Sequence, residues 1–189
     1  SKESLLEDLN QAIKLTNQEI IKSSHIIITL GTAWVYNFIS ENKIVANCHK
    51  VPQKEFKKEL LSVEAVFESL QNIISTIQKV NSKAQIIFTV SPVRHIKDGF
   101  VENTQSKAHL ITAIHKFLNQ KSIIDNRQSF YFPSYEIMMD ELRDYRFYNE
   151  DMIHPNPIAI NYIWDKFKKV WITSETTKIM DEVDIIQKG

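Results

Sequence analysis

"HIIITL", residues 25–30, is a continuous apolar run with three isoleucines, closed by Gly31. A run this short and this apolar reads as a strand buried on both faces, the form strands take in parallel sheets. "AQIIFTV" (84–90) and "SFYF" (129–132) read the same way. Helical periodicity lies between and around them. Ser62 caps a helix over about 63–80 that carries Val66, Leu70, Ile73, Ile74 and Ile77. A helix over about 105–120 carries Ala108, Ile111, Ile114, Phe117 and Leu118, and another spans about 157–171. Strands alternating with helices predict right-handed crossovers and a parallel sheet with helices on its faces, an α/β protein.

The remaining segments fit around that unit. "SLLEDLNQAIKLTNQEIIKS" places Leu5, Leu9, Ala12, Ile13, Thr16 and Ile20 on one helical face. "WVYNFI" and "KIVANC" flank Ser40-Glu41-Asn42 and predict a hairpin. "PQKEFKKELL" reads as a short helix with Pro52 in its first turn. "SPVRHIKDGFVENTQ" (91–105) reads as a long irregular excursion, and its length hints at function. A short helix is expected over about 134–142. The expected organisation is one domain over 1–172 and a helical tail over 173–189.

Composition excludes several classes. Apolar residues are 43% and charged residues 24%, ordinary for a soluble chain. Lys+Arg and Asp+Glu both number 23, which leaves no basic excess for nucleic acid. Cys48 stands alone, so no internal disulfide forms, which fits a reducing compartment. No apolar run approaches the ~20 residues of a membrane span, and no signal peptide is visible. The expected location is cytoplasmic. The chain begins at Ser1 rather than Met, so upstream targeting sequence is not excluded.

In open parallel sheets, ligands sit beyond the carboxyl ends of the strands. The unusual polar residues collect there: Gly31-Thr32, then Ser91, Arg94 and His95, and the segment after Phe132. In "YNEDMIHPNPIAI" (148–160), Asp151 and His154 share one short turn before a helix. An aspartate that accepts the Nδ1 proton of a histidine fixes its tautomer and frees Nε2 to act as a base. The bland alternative is a turn aspartate beside a helix cap. Ser91, Arg94 and His95 could bind an anionic or polar group, and Ser91 could be a nucleophile. The alternative there is a strand-exit turn in which Ser91 bonds to backbone. Cys48 and His49, with His95 and His154, could be drawn together as a metal site. Adjacent residues rarely ligate one ion well, so no metal is expected. His25, His109 and His115 are expected to pack or to face solvent. "RDYRFY" (143–148) could stack a sugar, although a role as core plug is favoured. Gly31 alone supports no phosphate loop, and no cofactor is implied.

"TLGTAWVY", "VANCHK", "FTVSPVRHIKDGF", "YFPSYEIMMDELRDYRFYNEDMIHP" and "YIWDKF" together resemble the bacterial GSCFA-domain family, from about 25 to 168. That family is similar to the SGNH/GDSL hydrolases: esterases, lipases and enzymes of carbohydrate acyl transfer or deacylation, with a flavodoxin-like three-layer αβα fold. The resemblance implies that Asp151 and His154 match the Asp-x-x-His block and that "GTAW" (31–34) matches the block after the third strand. In the wider superfamily that block reads Gly-x-Asn-Asp, and its asparagine helps hold the oxyanion. Ala33 stands at the matching place and cannot donate from its side chain. The family's Gly-Ser-Cys-Phe-Ala block, whose serine would be the nucleophile, is absent from these 189 residues.

The expectation is therefore an SGNH-like domain whose first strand and serine lie upstream. Its activity would be ester hydrolysis or acyl transfer on a small-molecule or glycan ester. His154 would be the base, Asp151 its orienter, Gly31 and Thr32 the oxyanion backbone, and Arg94 and His95 the substrate contacts. The rival class is a non-catalytic binding module on a hydrolase-like fold. A further expectation concerns strand 25–30, which would lack a neighbour. Either a second copy or an upstream segment pairs along it, or the opening helix covers it.

Overall fold

The computed structural model describes residues 1–120 and 128–188. In chain order the elements are α1 (Lys2–Lys22), β1 (His25–Leu30), β2 (Trp34–Phe38), β3 (Lys43–Val45), β4 (Phe56–Leu60), α2 (Val63–Val80), β5 (Gln85–Val90), α3 (Phe100–Asn119), β6 (Ser129–Phe132), α4 (Ser134–Glu136), α5 (Pro157–Trp171) and α6 (Ser174–Lys188). β1, β5 and β6 form a parallel sheet in the order β1-β5-β6.

Alternation along β5 builds the three layers. Ile86, Phe88 and Val90 join Ile26, Ile28 and Leu30 of β1 against α2 and α3. Ile87 faces the other way, with Phe132, against Ile163, Phe167 and Trp171 of α5. Residues two apart share a sheet face, so one central strand feeds two cores. The result is α2 and α3, then sheet, then α5: a mixed α/β, three-layer αβα arrangement.

Several elements depart from the sequence reading. β1 is not buried on both faces. Its inner positions are half-buried, while Ile27 is 53% exposed. The cause is position: β1 is an edge strand, and no strand among the described residues pairs with its outer side. Residues 52–61 are not a helix. A single 3-10 turn (Gln53–Glu55) leads into β4, which pairs with β2 and makes an antiparallel sheet β3-β2-β4. Strand pairing won over helical period there: Phe56 lies directly opposite Phe38 across the pair, with ring centroids 5.3 Å apart. The 91–105 excursion is also shorter than expected. Gly99, at φ 122°, lets the chain turn into α3, which starts at Phe100 rather than near 105.

α1 forms as the periodicity demands, but it buries none of its residues, and Leu5, Leu9 and Ile13 are exposed. Its firmest tie is Asn81, whose side-chain amide donates to the carbonyls of Ile20 and Ser23, both at 2.8 Å. The expectation that this helix covers the β1 edge is thus not met. On the α5 side, Ile27 and Thr29 border an apolar groove of about 290 Å³ with Ile160, Ile163, Trp164 and Phe167. An open edge beside an apolar groove invites pairing, because unpaired amides and apolar surface both favour contact over water. Light scattering after size exclusion is therefore expected to report a mass above that of one chain. A monomer whose 25–30 amides exchange slowly would show that something else satisfies the edge. No helix of the described residues is long and apolar enough to cross a membrane.

Candidate active site

The loop before α5 is built by its own polar groups. Tyr148 and Pro155 form an isolated antiparallel bridge, closed by Asn149 N–H donating to His154 O at 2.8 Å. Asn156 is the hub. Its Oδ1 caps α5 by accepting from Ala159 N–H at 3.1 Å, with Pro157 in the first turn. Its Nδ2 donates back to Arg146 O at 2.7 Å.

Inside that loop Asp151 does two things. Its Oδ1 accepts from Ile153 N–H (2.8 Å) and His154 N–H (3.0 Å), as a turn aspartate does. Its Oδ2 lies 2.6 Å from His154 Nδ1. The two readings of Asp-x-x-His are thus compatible, one on each carboxylate oxygen. The His154 backbone N–H, then the imidazole, then Ile153 N–H pull the Asp151 carboxyl down to about 2. The carboxylate is therefore ionised at neutral pH and can hold the imidazole by Nδ1, leaving Nε2 unclaimed by it.

The strand-end residues meet this loop. Arg94 N–H donates to Ile153 O at 3.4 Å, and its guanidinium reaches Met152 O at 3.4 Å. The same guanidinium lies 4.3 Å over the ring of Tyr148 and 5.4 Å over that of Tyr145. His95 sits at the end of β1: a Cβ added to Gly31 would lie 3.5 Å from its Nε2. Burial first, then the charges of Lys107 and His154, hold His95 below the usual histidine range. Gly31, Arg94, His95, Asp151 and His154 are thereby drawn to one rim, at the carboxyl ends of β1 and β5.

Ser91 and Thr32 are at the same rim but engaged in their own turns. Ser91 Oγ accepts from Val93 N–H at 3.2 Å, which is the strand-exit alternative. Thr32 Oγ1 accepts from Trp34 N–H at 3.1 Å. "RDYRFY" divides: Tyr148 is buried with Met138, Leu142 and Ala159, whereas Tyr145 is exposed. Among the described residues, no group of three or more His, Cys, Asp or Glu side chains is arranged to hold a metal ion.

Sequence reasoning missed three residues of α3. Asn103, Ser106 and Lys107 are buried under the rim, and Lys107 Nζ donates to Gly31 O and Ser91 O, both at 2.7 Å. The available signal was their i, i+3, i+4 spacing, which puts them on one face with Leu110 and Ile114.

An ionised aspartate, two histidines and an arginine thus gather at the carboxyl rim of a parallel sheet in an α/β protein, the place where such sheets hold ligands. The chain belongs to the GSCFA family, whose model matches residues 1–167. No curated protein matches it.

Proposed function

We propose that this rim is the acid–base half of an SGNH-like serine hydrolase site. The reaction is ester hydrolysis or acyl transfer, and the substrate class is an acylated glycan or a similar ester. The observation that carries the reading is the 2.6 Å contact between Asp151 Oδ2 and His154 Nδ1, on a loop locked to the strand-end residues by Arg94. A serine supplied by sequence preceding residue 1 attacks the acyl carbon. His154 Nε2 takes the serine proton, and Asp151 stabilises the imidazolium. His154 then returns the proton to the leaving alcohol, and water or a second alcohol repeats the cycle on the acyl-enzyme. Backbone N–H groups of Gly31 and Thr32 are assigned to the oxyanion. His95 contacts the substrate. Arg94 holds the loop and offers its remaining N–H groups to a substrate oxygen.

A second reading, a non-catalytic binding module, is favoured by one observation. Ala33 is buried, its side chain donates nothing, and its N–H is already bonded to Ser106 Oγ at 2.7 Å. The protein with its upstream sequence is expected to release acyl groups from p-nitrophenyl acetate above background. Absence of turnover on aryl esters and acetylated sugars alike decides for the module.

A further inference from the structure

"ENTQSKAHL" (102–110) sets three polar side chains on the face of α3 that otherwise carries Leu110, Ala113, Ile114 and Phe117. Each reaches a strand-exit loop. Asn103 Oδ1 accepts from His95 N–H at 2.8 Å. Ser106 Oγ accepts from Ala33 N–H at 2.7 Å and lies 3.0 Å from Thr32 Oγ1. Lys107 Nζ donates to Gly31 O and Ser91 O. One helical turn therefore ties the loop after β1 to the loop after β5. These are the loops that carry every rim residue except Asp151 and His154.

Asn103 and Ser106 are ordinary satisfied polar groups. Lys107 is not. It is 1% exposed, and no carboxylate among the described residues pairs with it. Two carbonyls could be bridged by a neutral amide at far lower desolvation cost, whereas an unpaired buried ammonium costs several kcal/mol. The charge itself is therefore the unexplained feature. What it faces is defined: the carbonyls of Gly31 and Ser91, the ring of Tyr135 with Nζ 5.7 Å from the centroid, and His95. His95 is faced in turn by Lys107 from α3 and by His154 from the loop before α5.

We propose that Lys107 is a positioning residue for the rim: its buried ammonium clamps the ends of β1 and β5 together and keeps a positive charge beneath Gly31, with His95 neutral beside it. A neutral His95 can accept or donate a hydrogen bond next to the atoms of β1 that approach a substrate. The catalytic value of that arrangement rests on the hydrolase reading, but the clamp and its charge do not. Burial lowers the ammonium to about 8, so the charge is largely present at pH 7 and is lost above that value.

Side-chain NMR titration of the 189-residue chain tests this without any turnover measurement, so its failure is distinct from failure of the hydrolase reading. The Lys107 Cε and Nζ signals are expected to titrate near 8, well below the surface lysines. In Lys107→Met the His95 midpoint is expected to rise by about half a unit or more, and in Lys107→Arg to stay near the parent value. A His95 midpoint unmoved in folded Lys107→Met overturns the proposal. So does a Lys107 Nζ that is uncharged at pH 7, a readout that needs no variant and stands if Lys107→Met does not fold.

Discussion

Replacing His154 with alanine, in the protein that carries its serine, is expected to lower ester turnover by about four orders of magnitude. The histidine is the only base the proposed mechanism uses, and nothing else at the rim stands in its place. His95, its nearest equivalent, lies at Gly31, and among the described residues no carboxylate is hydrogen-bonded to its ring. Folding should be unaffected, because the His154 side chain is more than half exposed and contributes little packing. Asp151→Asn should cost about two to four orders of magnitude. Asparagine keeps an Oδ1 for the turn but cannot hold the same imidazole tautomer with a charge. The pH dependence follows from the sign of the Asp151 shift. Its carboxyl is depressed in the folded chain, so the loop gains stability from it above about pH 4. That gain is lost as pH falls through about 2. Between pH 5 and 8 the carboxylate is constant, and any rate change there reports another group. Circular dichroism alongside steady-state kinetics separates loss of base from loss of fold. Turnover within about tenfold of the parent in His154→Ala would remove His154 from the mechanism.

Phe88→Ala is expected to cost about 3–5 kcal/mol of folding stability, a large fraction of the ~5–15 kcal/mol that holds a domain of this size. Phe88 is fully buried in the centre of β5, between β1 and β6, with its ring edge-to-face on Phe117 of α3, centroids 5.8 Å apart. Neither neighbour can collapse into the space, since β5 is hydrogen-bonded on both sides and α3 is held by its polar turn. Urea unfolding is the measurement: the midpoint should fall at an unchanged slope. A loss below about 1 kcal/mol would mean that the core on the α2 and α3 side is looser than its burial indicates.

The parts legible in the sequence were those written in local periodicity. "HIIITL", "AQIIFTV" and "SFYF" carry the three strands of the parallel sheet, and Ser62 caps α2 as expected. Asp151 and His154 were legible because one short turn carries both. What stayed hidden was set by distant partners. β4 reads as a helix until β2 is available to pair with it. β1 reads as buried on both faces, because its composition does not state how many neighbours it has. Of the polar turn of α3, Asn103 was lost through a boundary error, and Ser106 and Lys107 because the inner face was read through the apolar Ala108. A helix started near 105 leaves Asn103 in a loop and puts Ala108 on the inner face, whereas Ala108 is exposed. With the start at Phe100, the buried face runs through Asn103, Ser106, Lys107 and Leu110.

In the proposed mechanism, His154 activates a serine supplied by sequence preceding residue 1. Labelling the protein that includes that sequence with a serine-directed fluorophosphonate, and mapping the adduct, tests it most directly. One labelled serine is expected, upstream of Ser1, with labelling that collapses in His154→Ala. A label on Ser91, or an upstream label undiminished in His154→Ala, would contradict it.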